Sequence, residues 1–534
     1  MTPTLHNRCF GSRLALCLAL GAAAHAPANP AGLTVKSGSA TAQSTGSQLT
    51  VTTGALTVLN WSSFNIQSGE TTSFVQPSAN SVAFNVIGGA NPSQIFGSLN
   101  ANGTLILANA HGFYFGPNSF VNVGGNFLAT TAPLRPDPGW GGAWEFTGTP
   151  PLASIVNYGQ ISVGRGHSLF LIAEDVENHG GLSAPAGSVG LYAGRDVLVT
   201  EQADGRGLSA TVKLPAGSID NTGHIIADAG SIALSAQVVN QNGVLQADSV
   251  HNVNGTIELV ASSQLNLGPE SQILARGDAS SAGSPGGGVT LKSGGAFADS
   301  AGSQINTGGG AQGGNGGNVE VSAPDILSLN STMNGGAQPG WSGGQLLLDP
   351  ASITLGGSGS GSAGTGTVTA GSSPAALSLN VNSAFIGFSQ ITLQATANIT
   401  LASGTTWNLS QSTGEQTGLL TLQAGGNIVF GNNSQILDAN NWSVNLQAGV
   451  NFTTATVQPG VGSIYLNGSS GGKLNGTVQT SAGNITMTAG EDILVGTGAI
   501  RTVGWLMRLL PACSVTLPPA AVAMPPRVEL TMSP

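Results

Sequence analysis

Charge is what this 534-residue chain has least of. Asp, Glu, Lys and Arg make up 7% of it, against about 25% in an ordinary soluble domain. Only 14 residues are Lys or Arg, against 24 Asp and Glu, and the net charge is −10. No basic stripe exists to displace counterions from phosphates, so nucleic acid is excluded as a partner. Cysteine is almost missing as well: Cys9, Cys17 and Cys513 are the only three. The long stretch between them has neither a disulfide framework nor thiolate ligands for zinc. No apolar run approaches the roughly 20 residues of a membrane-spanning helix.

What fills the space is glycine, 81 residues of it, with Ser, Thr, Asn and Gln beside a 40% hydrophobic share. A disordered polar tract would be starved of apolar residues, so this chain can bury a core. At the N-terminus Arg8 and Arg13, the apolar run from Leu14 to Ala24 and the following "AHAPANPAG" read as a secretory signal over residues 1–26. The body then belongs to an exported protein.

Its sentences repeat. "IVNYGQIS", "VENHGGLS", "IDNTGHII" and "VVNQNGVL" place Asn157, Asn178, Asn221 and Asn240 at intervals of 21, 43 and 19 residues. A period of about 21 with one copy skipped marks a solenoid. Between these corners stand "GHSLFLIA", "GSVGLYA", "GSIALSA" and "GTIELVA", resumed as "GGVTL", "GNVEVSA", "GSIYL" and "GNITMTA". Apolar and polar residues alternate in them as in strands with one buried face. Three short strands and three turns per round, with rounds stacked in parallel, make an all-β, right-handed parallel β-helix. Gly and Asn supply positive-φ corners, and equivalent Asn residues stack into a ladder. About 20 rungs at ~4.8 Å would give a rod on the order of 100 Å.

Interruptions divide the chain. Residues 131–151, with their prolines and two tryptophans, read as an excursion from the rod, and the Gly/Ser-rich 356–378 as a linker or loop where the rod divides. The non-repetitive stretch 33–60 is a candidate N-terminal cap. Repeats resume over 379–502. The tail 503–534, where glycine nearly vanishes and the last cysteine stands, breaks off the pattern as a frame-shifted end of a longer protein would.

Residues 60–130 carry a more specific pattern: Phe64-Asn65-Ile66, Phe74-Val75-Gln76-Pro77, Asn85, Ser93-Gln94-Ile95, Asn102-Gly103, Asn109-Ala110-His111-Gly112 and Val121-Asn122-Val123-Gly124-Gly125. This stretch resembles the haemagglutination-activity domain of two-partner secretion exoproteins, the filamentous-haemagglutinin family. The resemblance implies a secretion domain over 27–290, a rod continuing through 291–355, and Asn65, Gln76, Pro77, Asn85, Asn102, Gly103, Asn109 and Gly112 as its secretion motifs. It also implies an outer-membrane β-barrel transporter as partner, release to the medium or the surface of a Gram-negative bacterium, and adhesion by the rod to host-cell glycans or receptors. The family's Asn-Pro-Asn-Gly turn is altered, with Ala110 for the proline and His111 for the second asparagine, and Val86 stands where an arginine often follows Asn85.

Other chemistry finds little support. Glu174, Asp175 and Glu177 are the densest acidic group, without a Lys or His at a matching rung, so a polysaccharide-active β-helix enzyme is a minor alternative. His111, His167, His179, His224 and His251 lack zinc-ligand spacing, and the glycine-rich 309–321 lacks the aspartates of a calcium β-roll. Arg276-Gly277-Asp278 spells a candidate cell-binding tripeptide. A haem or haem-carrier binding protein is the second alternative, although no haem site can be located. The expectation is therefore a non-enzymatic, cofactor-free, monomeric adhesive exoprotein.

Overall fold

The computed structural model describes residues 29–132, 143–146, 153–201, 208–251, 253–357, 366–368, 376–466, 476–494, 500–502 and 528–532. The expected signal segment 1–26 lies outside them.

The described chain is a parallel β-helix. Its longest face stacks fifteen parallel strands, from Leu56–Trp61 and Val82–Ile87 to Asn441–Ala448 and Ile485–Ala489. Fourteen steps of ~4.8 Å make about 67 Å, shorter than 20 rungs would give. The reason is that the coil is not constant. Register partners are 22 residues apart at Val82 and Thr104, 32 at Ile257 and Val289, and 45 at Leu346 and Ile391. A second face carries Ser93–Ile95, Phe113–Phe115, Ser154–Asn157, Asp175–Asn178 and Ser218–Asn221. A third runs from Gln48–Thr53 through Phe120–Val123 and His224–Ile226 to Thr332–Asn334. Inward residues such as Leu105, Phe115, Val121 and Ile155 are fully buried and form one continuous core.

The 43-residue interval between Asn178 and Asn221 holds no skipped rung. Asp175–Asn178 and Ser218–Asn221 are adjacent in the sheet. The surplus is an antiparallel hairpin in which the second half of Ser188–Glu201 pairs with Leu208–Pro215. Ala143–Phe146, from the expected excursion, adds antiparallel to the same strand. Together they cover the outside of the long face, sealing Phe84, Ile106, Leu128, Phe170, Ile172 and Tyr192 in a second core. Strand Ser168–Ala173 is consequently buried on both sides, which is why it reads "SLFLIA" rather than alternating.

The corners differ from expectation in two further respects. Gly180, Gly223 and Gly243 do not have positive φ. They are glycines because a Cβ there would fall 2.1–2.2 Å from the carbonyl oxygen of the equivalent glycine on the rung below. The fourth amide of the inner ladder is Gln241, which is in register with Asn221, while Asn240 faces outward beside Asp220. The inner ladder runs from Asn157 Nδ2 to Asn178 Oδ1 at 2.8 Å, from Asn178 to Asn221 at 2.7 Å, and from Asn221 to Gln241 Oε1 at 2.7 Å.

At the N-terminal end Thr34–Ser37 and Ala40–Thr45 lie antiparallel on Leu56–Trp61 and Gln48–Thr53, forming the cap. The Gly/Ser-rich stretch does not break the rod. Gly344–Asp349 before it pairs directly with Phe388–Ala395 after it. Most of its residues lie outside those described. Of the tail, Val528–Met532 pairs antiparallel with Ile485–Ala489, and the remainder is outside the described residues.

Candidate functional site

The sequence-predicted secretion residues fall on the first rungs, and they form separate clamps rather than one pocket. Gln76, Pro77, Asn102 and Gly103 make the first. Gln76 N donates to Asn102 Oδ1 at 2.7 Å, and Asn102 Nδ2 returns a bond to Gln76 O at 2.7 Å. The buried Gln76 side chain donates to the carbonyls of Ser81 and Thr104, at 2.9 and 3.1 Å, and accepts from Gly103 N. A Cβ on Gly103 would collide with Ser78 O and the Gln76 amide. Pro77 leads into a short turn closed by Ser81 N on Ser78 O and Ser78 N on Ser81 Oγ. One glutamine thus ties two successive corners together.

Asn109 and Gly112 make the second clamp. Asn109 is buried, and its Oδ1 accepts from His111 N at 2.9 Å while Gly112 N donates to Asn109 O at 3.0 Å. The Asn109 Nδ2 reaches the preceding rung, donating to Asn91 O and to Ser93 Oγ at 3.1 and 3.0 Å. Gly112 has φ 100°, and a Cβ would lie 2.5 Å from Ser154 O. Only glycine meets both conditions. Ala110 and His111, the two departures from the family turn, are exposed at its tip. The turn therefore closes without the proline and the second asparagine.

Asn85 and Asn65 stand apart from these. Asn85 points into the rod, in register between Leu59 and Leu107. Its Oδ1 accepts from Trp61 Nε1 at 2.9 Å, and its Nδ2 donates to the carbonyls of Ala83 and Ile106. Asn65 Oδ1 accepts from Gln94 N at 2.8 Å. Sequence reasoning missed Trp61 and the buried Glu70, whose carboxylate accepts from Asn29 N and Gln67 N at 2.9 and 2.8 Å. A lone Glu in a chain so poor in charge was the available signal.

The remaining candidates sort as follows. Arg276 grips Asp248 through Nε and Nη2, the closest contact being 2.5 Å. Asp278 accepts from the Ser281 and Ser280 hydroxyls and from Ser280 N. Those bonds, Ser281 first, hold its carboxyl well below the ordinary range. Both charges of the tripeptide are engaged within the molecule. The acidic group does have a histidine nearby, contrary to expectation: His179 Nε2 lies 3.3 Å from Glu177 and its ring stacks on Tyr158. Asp175 is spent on Ser218 N and Oγ, at 2.7 and 2.9 Å. Among the described residues no three His, Cys, Asp or Glu gather as a metal site.

Residues 26–284 match the family model of the TPS secretion domain. A Heme/hemopexin-binding protein of Haemophilus influenzae strain Rd is 32% identical over 254 residues, which are 44% of this chain and 28% of that protein. A second Heme/hemopexin-binding protein of Haemophilus influenzae is 28% identical over 244 residues, 40% of this chain and 26% of the relative. The chain thus spans little more than a quarter of the length of these relatives. The crystal structure of the HMW1 secretion domain from Haemophilus influenzae aligns with TM-score 0.48 and 20% identity, covering 89% of this chain and 98% of that one. The segment that matches the TPS secretion domain, residues 26–284, is the one that holds the cap, the first rungs and both corner clamps.

Proposed function

We propose that residues 26–284 are the address read by an outer-membrane β-barrel transporter, that the chain leaves the cell through it, and that the rod outside acts in adhesion. The observation that carries the reading is the family match over the segment holding both motif clamps. The polymer physics supports it. Each rung touches mainly its neighbours, so a solenoid can form progressively from one end. A body without cysteine between residues 18 and 512 has no cross-link to obstruct threading. Antiparallel strands cover both described ends of the long face, which blunts end-to-end association and supports a monomer.

The test is secretion. The chain is expressed with and without its cognate transporter, together with Asn109→Asp, and the culture medium is assayed. Transporter-dependent release, reduced by the substitution, is expected. Release that ignores the transporter would overturn the proposal. A haem or haem-carrier ligand is the second reading, favoured by the names of the two relatives alone. Haemin titration of the purified protein, followed by absorbance, decides it.

A further inference from the structure

We infer that a polar groove on the outer corner after the third face binds a neutral oligosaccharide. This rests on the adhesive part of the proposal above and is independent of the transporter. Five successive rungs bring Asp228, Asp248, Arg276, Gly308 and Gly336 into one column. Side chains fill the column on three rungs and vanish on the last two. The step, walled by the loops that begin at Asp278 and Gly309, encloses about 830 Å³, within the usual range of ligand pockets. The lining residues run from Asp228 to Gly336, four rung steps of ~4.8 Å or about 19 Å, of which the floor free of side chains takes the last.

The glycines of the floor are not required by the coil. At Gly187, Gly230 and Gly317 a Cβ would stand 1.9–2.0 Å from a carbonyl oxygen of the neighbouring rung. At Gly308 and Gly336 the nearest atoms are 3.2 and 3.1 Å away, the amide oxygens of Asn306 and Asn334, and neither glycine has positive φ. An alanine there would need a shift of a few tenths of an ångström. What the missing side chains provide is the groove.

Its lining calls for hydroxyls. Asn306 and Asn334 turn their Oδ1 atoms to Gly308 N and Gly336 N, at 2.9 Å each, so each amide is held in place. Asp248 clamps the Arg276 guanidinium through two nitrogens, leaving Nη1 as a donor among the described residues. Asp228 accepts from Gln246 Nε2 and Asp248 N. Carboxylate acceptors stand at the Asp228 end and the Arg276 and Asn amide donors toward the glycine floor, each side chain fixed by an internal bond. A sugar hydroxyl, which both gives and accepts, satisfies such a surface. An apolar ligand would take these groups out of water and give nothing in exchange, and a polyanion would meet three carboxylates against one guanidinium.

The experiment is calorimetric titration of the purified full chain with cellotetraose, maltotetraose and mannotetraose, and with a heparin-derived tetrasaccharide as the anionic comparison. At least one neutral tetrasaccharide is expected to bind in the millimolar range or tighter. Gly336→Leu, which fills the floor, is expected to weaken it at least tenfold with an unchanged melting curve, and the milder Gly308→Ala to weaken it less. Absence of binding by all three neutral sugars, equal binding by Gly336→Leu, or tighter binding of the heparin fragment would each overturn the inference.

Discussion

Two hydrogen-bond ladders lie on the same face of this rod, one fully buried and made of amides alone, the other half exposed and ending on the Asp220 carboxylate, and together they test what buried amides contribute. In the inner ladder Asn178 accepts from Asn157 at 2.8 Å and donates to Asn221 at 2.7 Å, and all three residues are fully buried. In the outer ladder Asn240 donates to Asp220 at 2.7 Å and accepts from Asn266 at 2.8 Å, only partly shielded from water. Asn178→Ala leaves the Asn157 Nδ2 and the Asn221 Oδ1 buried without those partners. At about 1–3 kcal/mol for each stranded group, the cost is about 2–6 kcal/mol. Asn240→Ala exposes its former partners to solvent and costs about 0.5–1.5 kcal/mol, the ordinary net worth of such bonds. A long repeat array need not unfold in one step, so the assay is hydrogen exchange of the corner amides from Gly159 to Gly243. A difference of ~2 kcal/mol between the variants appears there as roughly thirty-fold faster exchange in Asn178→Ala. Equal exchange in the two variants would refute the argument that burial sets the value of the ladder.

Other outcomes follow from the same geometry. Trp61→Phe removes the donor to the buried Asn85 Oδ1 and is expected to cost about 1–3 kcal/mol. Adding Asn85→Leu, in register between Leu59 and Leu107, should recover part of it, and chemical denaturation of the two variants checks this. Gly223→Ala drives a Cβ to 2.2 Å from Gly180 O and should cost about 1–3 kcal/mol or more. Gly288→Ala meets nothing within 4 Å and should be neutral or slightly stabilising, so comparing their melting temperatures separates close approach from glycine content. Burial, the largest cause in each case, raises the carboxyls of Asp299, Asp349 and Glu415. A carboxyl raised in the folded state holds its proton more tightly there than in the unfolded chain. Its contribution is therefore greatest below the unfolded value, near pH 4, and is lost as pH rises through the raised folded value. Exchange around these rungs, corrected for intrinsic rate, should be slower at the acidic end, and a flat profile would contradict the burial argument.

The fold was legible because its two strongest signals are local and periodic. Alternating apolar residues gave the strands, and the Asn-x-Gly corners gave the coil. What escaped was everything that depends on a neighbour from another rung. The positive-φ explanation of the corner glycines failed because the steric demand at Gly223 comes from Gly180, 43 residues away. Asn240 was chosen over Gln241 because both are amides, and only the register with Asn221 separates them. Alternation assigns the run "SLFLIA" one buried face, yet it is buried on both, because its outer cover is the hairpin formed by 194–201 and 208–215, which sequence periodicity counts only as a missed repeat. Of the site, Asn109 and Gly112 could be assigned a turn from residue type alone. The bonds from Gln76 to Ser81 and Thr104 could not, since they join separate corners.

The distribution of these clamps bears on how such a rod can form outside a cell. A single rung exposes both edges of three short strands and cannot bury its apolar face alone. The N-terminal rungs have several extra means of holding together. Gln76 ties two corners, Asn109 reaches back to the preceding rung, Asn85 satisfies the indole of Trp61, and an antiparallel cap covers the first strands. Close by, the outer core buries Phe84, Ile106 and Leu128 on the opposite side of the same sheet. Beyond Asn221 that outer cover ends, although later rungs have ties of their own, such as Asp299 to Asn330 N and Ser331 N and Trp442 Nε1 to Glu415 O. What the first rungs add is the combination of cap, outer core and corner clamps, placed where a nucleus would otherwise be costly, and later rungs can build on the template beneath them. Retention of structure in a chain shortened to residues 29–284, set against its loss in one lacking residues 29–132, is the outcome this distribution requires.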